Sequence, residues 1–213
     1  MELEMGRRRR LFVEGFSWHV TQRGVNGAVI FKAPSDYRVF LAILATESGR
    51  CGVGIHAYAM MRNHVHLLAT PESQTSLPSL MQALGRSYVL FFNDRYERTG
   101  ALWGGRYKDA LVHDERYWLT CMRYVELNPV RARIVKHAAQ YRWSSYWHHG
   151  LGHPDSMITE HPLYLSLGAS PDLRQRAWRE MCGQHVSDAE LNSLRSGIKR
   201  GIVLGEPTVT EVS

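Results

Sequence analysis

The chain has 213 residues, enough for one domain of ordinary size plus an appendage and too few for two domains with separate large cores. Hydrophobic residues make up 44% and charged residues 22%, which excludes a wholly disordered, collagenous or coiled-coil chain. Lys and Arg number 26 against 20 Asp and Glu, and the net charge of +6 favours a polyanionic partner, nucleic acid first, although solvated surface charge accounts for the same balance. Cys51, Cys121 and Cys182 are too few and too widely spaced for a disulfide framework or a Cys-x-x-Cys metal site, which fits a reducing cytosol. Arg7 to Arg10 follow Glu2 and Glu4 with no unbroken apolar run behind them, either a solvated end or an arm lying on phosphate. No stretch reaches membrane-spanning length, so neither export nor anchoring is expected.

In chain order, Phe16 to Arg23 is aromatic and β-branched and stops at Gly24, which predicts a first strand. Ser35 is a fair N-cap, and Val39, Phe40, Ile43 and Leu44 recur at helical spacing until Gly49, predicting a first helix. Val53 to Met61 and His64 to Thr70 are strand-like runs divided by Arg62-Asn63, hence a hairpin. Ser76 and Pro78 stand where a helix would start, with Leu80, Met81, Leu84, Tyr88, Phe91 and Phe92 as its stripe and Gly100 past its end. Tyr107 to Val112 predicts a fourth strand. Asp114 then caps a third helix with Trp118, Leu119, Met122 and Val125 on its apolar face, closed by Asn128-Pro129 because the residue before a proline is pushed out of the α region.

The order strand, helix, strand, strand, helix, strand is that of an α+β, ferredoxin-like antiparallel sheet followed by an extra helix. Helices are then expected on one face of the sheet, leaving the other free for a ligand. The expected division is a catalytic domain over 1–147 and a C-terminal helical appendage with a tail over 148–213. Within the appendage, 172–182 and 187–199 read as short amphipathic helices and the end after Pro207 as disordered.

His64-Val65-His66 lies in a strand-like run, where the period of two puts both imidazoles on one face roughly 7 Å apart at the backbone, close enough to share a metal ion. Two histidines that merely line a sheet show the same pattern. On the third helix Tyr117 and Tyr124 are seven residues apart and share a face, with Asn128 four residues after Tyr124. Such tyrosines are also ordinary amphipathic core residues.

Taken together, H-V-T-Q-R-G (19–24), M-R-N-H-V-H-L-L (61–68), G-A-L-W-G-G-R-Y-K (100–108), Y-V-E-L-N-P-V-R-A (124–132) and W-S-S-Y (143–146) resemble the REP-associated tyrosine transposases, members of the HUH group of single-strand DNA transposases. The resemblance runs through residues 10–147 in order. It implies a metal-dependent DNA strand transferase with His64 and His66 as metal ligands, Tyr124 as nucleophile and Asn128 as a polar third ligand, with Tyr117 the competing nucleophile. It further implies a divalent ion, Mg²⁺ or Mn²⁺, and single-stranded or hairpin DNA as partner. The enzyme would be a monomer or homodimer located in the cytoplasm, on the nucleoid when bound.

The implied chemistry is coherent. A free phenol has a pKa of about 10, so about one in a thousand is phenolate at pH 7, a deficit of about 4 kcal/mol for attack. Attack on a phosphodiester would leave a 5′-phosphotyrosine and a free 3′-OH, and a second 3′-OH could rejoin the strand without ATP. Arg106 and Lys108 alternate along the fourth strand, with Trp103, Tyr107 and Arg123 nearby. Cations that grip phosphate and aromatics that stack on unpaired bases suit single-strand recognition, while Trp103 and Tyr107 fit a core equally well. His148, His149 and His153 sit among Gly150, Gly152 and Pro154 and are expected to face solvent, and His19 and His56 to be structural. Lys199 to Gly205 resembles a closing segment of the family and is assigned no catalytic role. Two rivals remain: a hairpin-binding regulator of the same fold without cleavage, and a hydrolase using His64 and His66 with water as nucleophile.

Overall fold

The computed structural model describes residues 12–184, 192 and 194–198. Its first part follows the expected order: β1 (Ser17–Arg23), α1 (Pro34–Cys51), β2 (Val53–Met61), β3 (His64–Pro71), α2 (Ser76–Arg95), β4 (Lys108–Val112) and α3 (Glu115–Glu126). The remaining helices are short except the last: α4 (Asn128–Arg131), α5 (Tyr146–His149), α6 (Pro162–Leu165) and α7 (Pro171–Gly183). The four strands form one antiparallel sheet in the order β2-β3-β1-β4. This is the ferredoxin-like arrangement, with β1 at the centre.

Two helix boundaries differ from the sequence reading. The first helix runs through Gly49 and ends at Gly52, whose φ of 64° supplies the left-handed turn that a side chain would resist. It begins at Pro34, with the Asp36 carboxylate rather than Ser35 accepting the orphan N–H groups of Lys32 and Ala33. The third helix ends at Glu126, just before Asn128-Pro129 as expected, yet Asn128 itself is helical and not pushed out of the α region. Leu127 donates to the Arg123 carbonyl and Arg131 to that of Leu127, so the chain bends at Leu127 and turns once more as α4. Proline removes only the N–H that would reach back four residues; the turn after it keeps its bonds.

Both faces of the sheet are covered, which corrects the expectation of a free one. Phe40 and Leu44 of α1 and Leu80, Leu84 and Tyr88 of α2 pack with Trp18, Val20 and Leu67 on one side. On the other, the small side chains of Ala57, Ala59 and Ala110 let α3 come close, with Trp118, Cys121, Met122 and Val125 on its inner face. The C-terminal segment belongs to this second layer: Tyr146, Tyr164, Trp178 and Leu194 are buried in the same cluster.

A buried polar knot joins that segment to α3. The Glu126 carboxylate accepts from Ser145 Oγ (2.5 Å), His149 Nδ1 (2.7 Å) and Trp178 Nε1 (2.8 Å). His149 is 1% exposed, so the expectation that it faces solvent fails; the partner that draws it inward lies 23 residues earlier in the chain. His153 is exposed and stacks on Trp147, and His148 is half-buried beside Glu160. His56 is structural as expected, bonded to Thr159 and Thr70.

Candidate active site

The sheet register builds the site. His66 stands opposite Thr21, Thr21 is also opposite Lys108, and His64 pairs with Arg23. Alternation then turns His19, Thr21 and His66 to the α3 side of the sheet. There they meet Tyr124, whose ring centroid lies 5.9 Å from those of both His19 and His66. The rings of His64 and His66 are 4.9 Å apart. His64, His66, Tyr124 and Asn128 line one cleft of about 560 Å³ with Arg23, Arg106, Lys108 and Arg195. Part of its wall is the glycine backbone of Gly24, Gly27, Gly104 and Gly105, which leaves room for a bulky anion. A Cβ on Gly24 would come within 2.3 Å of the Ala28 carbonyl oxygen, so this wall requires glycine there.

Each histidine of the pair has one ring nitrogen engaged. His64 Nδ1 lies 2.6 Å from Asn63 Oδ1, and His66 Nδ1 lies 3.0 Å from His19 Nε2 and 3.3 Å from Thr21 Oγ1. Nε2 of each ring is left without a protein partner among the described residues. Burial, with Arg23 adding to it, holds His64 down at about 4; burial and then the neighbouring His19, His64, Arg23 and Arg131 hold His66 well below its ordinary range. Both rings are therefore neutral at pH 7, the form that ligates a metal. Asn128 Nδ2 donates to the Tyr124 carbonyl (2.9 Å), which leaves its amide oxygen as an acceptor. Two neutral imidazoles and an amide oxygen fit a divalent cation. No third His, Cys, Asp or Glu joins them among the described residues.

Burial pushes the Tyr124 phenol up, and two cations, Arg131 and Arg195, oppose it. Arg131 lies over the ring, its guanidinium carbon 4.6 Å from the centroid, and Arg195 hydrogen-bonds to Tyr124. Sequence reasoning missed both. Arg131 is brought over Tyr124 by the bend at Leu127 between α3 and α4, and Arg195 lies 71 positions away with nothing local to mark it. His19, assigned a structural role, is fully buried against both His66 and Tyr124.

Other assigned residues fall elsewhere. Arg123 is 9% exposed and donates to the Gln184 carbonyl at the end of α7, outside the cleft. Trp103 and Tyr107 line a smaller, neighbouring cavity with Phe40, Met81 and Gln22, which meets the cleft at Gly105 and Arg106. Trp103 is anchored there through Nε1 to the Gly85 carbonyl. Tyr117 is on α3 but does not line the cleft, which leaves Tyr124 as its tyrosine. Lys199 to Gly205 lies outside the described residues.

The family model for IS200-like transposases matches residues 13–128, more than half of the chain. The chain belongs to the IS200-like transposase family. Among solved structures, this transposase is similar to a REP-associated tyrosine transposase bound to a REP hairpin, with 16% identity and a TM-score of 0.55 over 75% of this chain and 93% of that one. A candidate transposase from Deinococcus radiodurans matches with 18% identity and a TM-score of 0.39 over 63% and 96% of the two chains. No curated protein matches. No helix among the transposase's described residues is long and apolar enough to cross a membrane.

Proposed function

We propose that this transposase nicks and rejoins single-stranded DNA beside a hairpin, with Tyr124 as nucleophile and a divalent ion held by His64, His66 and the Asn128 amide oxygen. The observation that carries the proposal is the convergence of one tyrosine, two neutral histidines and the cations Arg23, Arg106, Lys108 and Arg195 on one cleft. Resemblance in fold to the hairpin-bound REP-associated enzyme supports hairpin DNA as the ligand.

The scissile phosphate is held in the cleft by charge-assisted bonds from Lys108, Arg106 and Arg195. Mg²⁺ or Mn²⁺, when bound, supplies Lewis-acid charge at the phosphate's non-bridging oxygens. The Tyr124 oxygen attacks phosphorus in line. The bond to the 3′ oxygen breaks, that oxygen gains a proton, and the phenol proton leaves to solvent. Arg131 and Arg195 lower the cost of developing phenolate charge. The 5′-phosphotyrosine keeps the bond energy, so a second 3′-OH reverses the chemistry and joins a new strand. Trp103 and Tyr107, at the neighbouring cavity, stack on an unpaired base. One chain supplies every group, so the proposed catalyst is complete as a monomer.

The test is incubation of the protein and its Tyr124→Phe variant with labelled single-stranded hairpin DNA and Mg²⁺ or Mn²⁺. A denaturant-resistant adduct that needs both the metal and Tyr124 supports the proposal. Metal-dependent cleavage unchanged in Tyr124→Phe makes water the nucleophile, and tight binding of several hairpins with neither product makes the protein a DNA-binding regulator.

A further inference from the structure

We infer that His19 is a positioning residue that holds His66 in its ligating orientation, an inference that rests on the reading of His64 and His66 as metal ligands. His19 sits on the central strand, opposite Leu68 and two residues from Thr21 on the same face. It is 0% exposed. Its one hydrogen bond joins Nε2 and His66 Nδ1, 3.0 Å apart, while its own Nδ1 is buried without a partner.

That pattern is poor for stability. A residue needed only for packing at such a position would be apolar, since an imidazole with one nitrogen unsatisfied bears a desolvation cost that a leucine does not. What the imidazole provides is an acceptor for the Nδ1–H of His66, which leaves the His66 Nε2 lone pair for the ion. The contact also fixes the rotation of the His66 ring. Hydrogen-bonding partners of metal-ligating histidines act in this way, and losing one weakens metal affinity by about 10- to 100-fold. Thr21 Oγ1 makes a second, longer contact to the same nitrogen at 3.3 Å and is at the outer limit of useful geometry. His19 further packs edge-on against Tyr124 at 5.9 Å, so one ring braces both the ligand and the proposed nucleophile.

The experiment compares Mn²⁺ binding by the full chain and by His19→Gln, His19→Asn and His19→Leu, by calorimetry and by the nitrogen couplings in the Mn²⁺ electron paramagnetic resonance signal. Glutamine reaches as far as Nε2 with an acceptor, while asparagine is one methylene short. The expected result is affinity within about threefold of the parent for His19→Gln and about 10- to 100-fold weaker binding for His19→Asn and His19→Leu, with one histidine coupling lost. Thermal unfolding of each variant shows that it is folded, and the Gln and Asn pair decides the matter if His19→Leu is not. Parent-like affinity and couplings in the Asn variant overturn the inference. Absence of Mn²⁺ binding in the parent, or binding that survives His64→Ala with His66→Ala, overturns the metal reading itself and the inference with it.

Discussion

The guanidinium of Arg131 lies over the ring of Tyr124, 4.6 Å from its centroid, at a position where burial of the phenol would otherwise oppose its ionisation. A desolvated contact of this kind is worth about 2 kcal/mol, and part of it strengthens as negative charge develops on the phenol. Arg131→Gln should slow formation of the covalent DNA adduct about tenfold in a single-turnover assay. DNA binding should change much less. Equal rates for variant and parent would remove Arg131 from the chemistry.

The salt dependence of DNA binding should separate the cleft cations from the buried one. Arg106→Ala and Lys108→Ala should each lower the slope of log K against log salt by about one, because each removes a phosphate contact. Arg123→Ala should leave that slope unchanged and lower stability, since Arg123 is committed to the end of α7. Fluorescence titration of a hairpin oligonucleotide at several salt concentrations reads this out.

Acid should weaken the metal-free fold before carboxylates titrate. Burial holds His19 at about 3 and His64 and His161 at about 4, and pushes His56 down, against about 6.5 in the unfolded chain. Below 6.5 the unfolded chain takes up protons that the native one refuses. Stability is therefore full above about pH 6.5 and falls as pH drops toward 4, by at most about 1.4 kcal/mol per pH unit for each such histidine, and less for the partly open His64 and His161. Urea unfolding at about pH 7 and pH 5 measures the difference, and His19→Gln should reduce it.

Glu126→Ala removes the acceptor for Ser145, His149 and Trp178 at once and leaves their buried donors unpaired. A loss of about 3–5 kcal/mol is expected from denaturant unfolding. Glu126→Gln, which keeps an acceptor of the same shape, should cost less. Glu126 is two residues from Tyr124, so adduct formation should fall with stability in the alanine variant.

A chain ended at residue 147 tests whether the first part folds alone. It lacks His161, which stacks on Trp118, and Tyr164 and Trp178, which are buried in the same cluster as Trp118 and Met122. Such a fragment should lose its cooperative thermal transition and bind a hydrophobic dye. A sharp transition near that of the full chain would support 1–147 as an independent domain.

The strand and helix order was legible from the sequence because it rests on local periodicity. Val53 to Met61 and His64 to Thr70 are strand-like runs divided by Arg62-Asn63, and the pairing of His64 with His66 on one face follows from the strand period alone. Tyr124 and Asn128 were likewise legible, being one helical turn apart and part of a run that resembles a known family. Local rules were less exact at helix ends. Gly49 looked like a helix end, yet the left-handed turn came at Gly52, and the residue before Pro129 looked excluded from the α region, yet Asn128 opens one further turn.

Only the tertiary structure decided which cations and imidazoles share the site. His149, in a glycine-rich stretch, is drawn into the interior by a carboxylate 23 residues away, and Arg123 is bonded to the end of α7. Arg195 joins Tyr124 from the far end of the chain, and His19 becomes the partner of His66 because β1 pairs with β3. Periodicity fixes which face of its own element a side chain occupies. What that face meets depends on register and packing between elements far apart in sequence, where no local spacing carries the information.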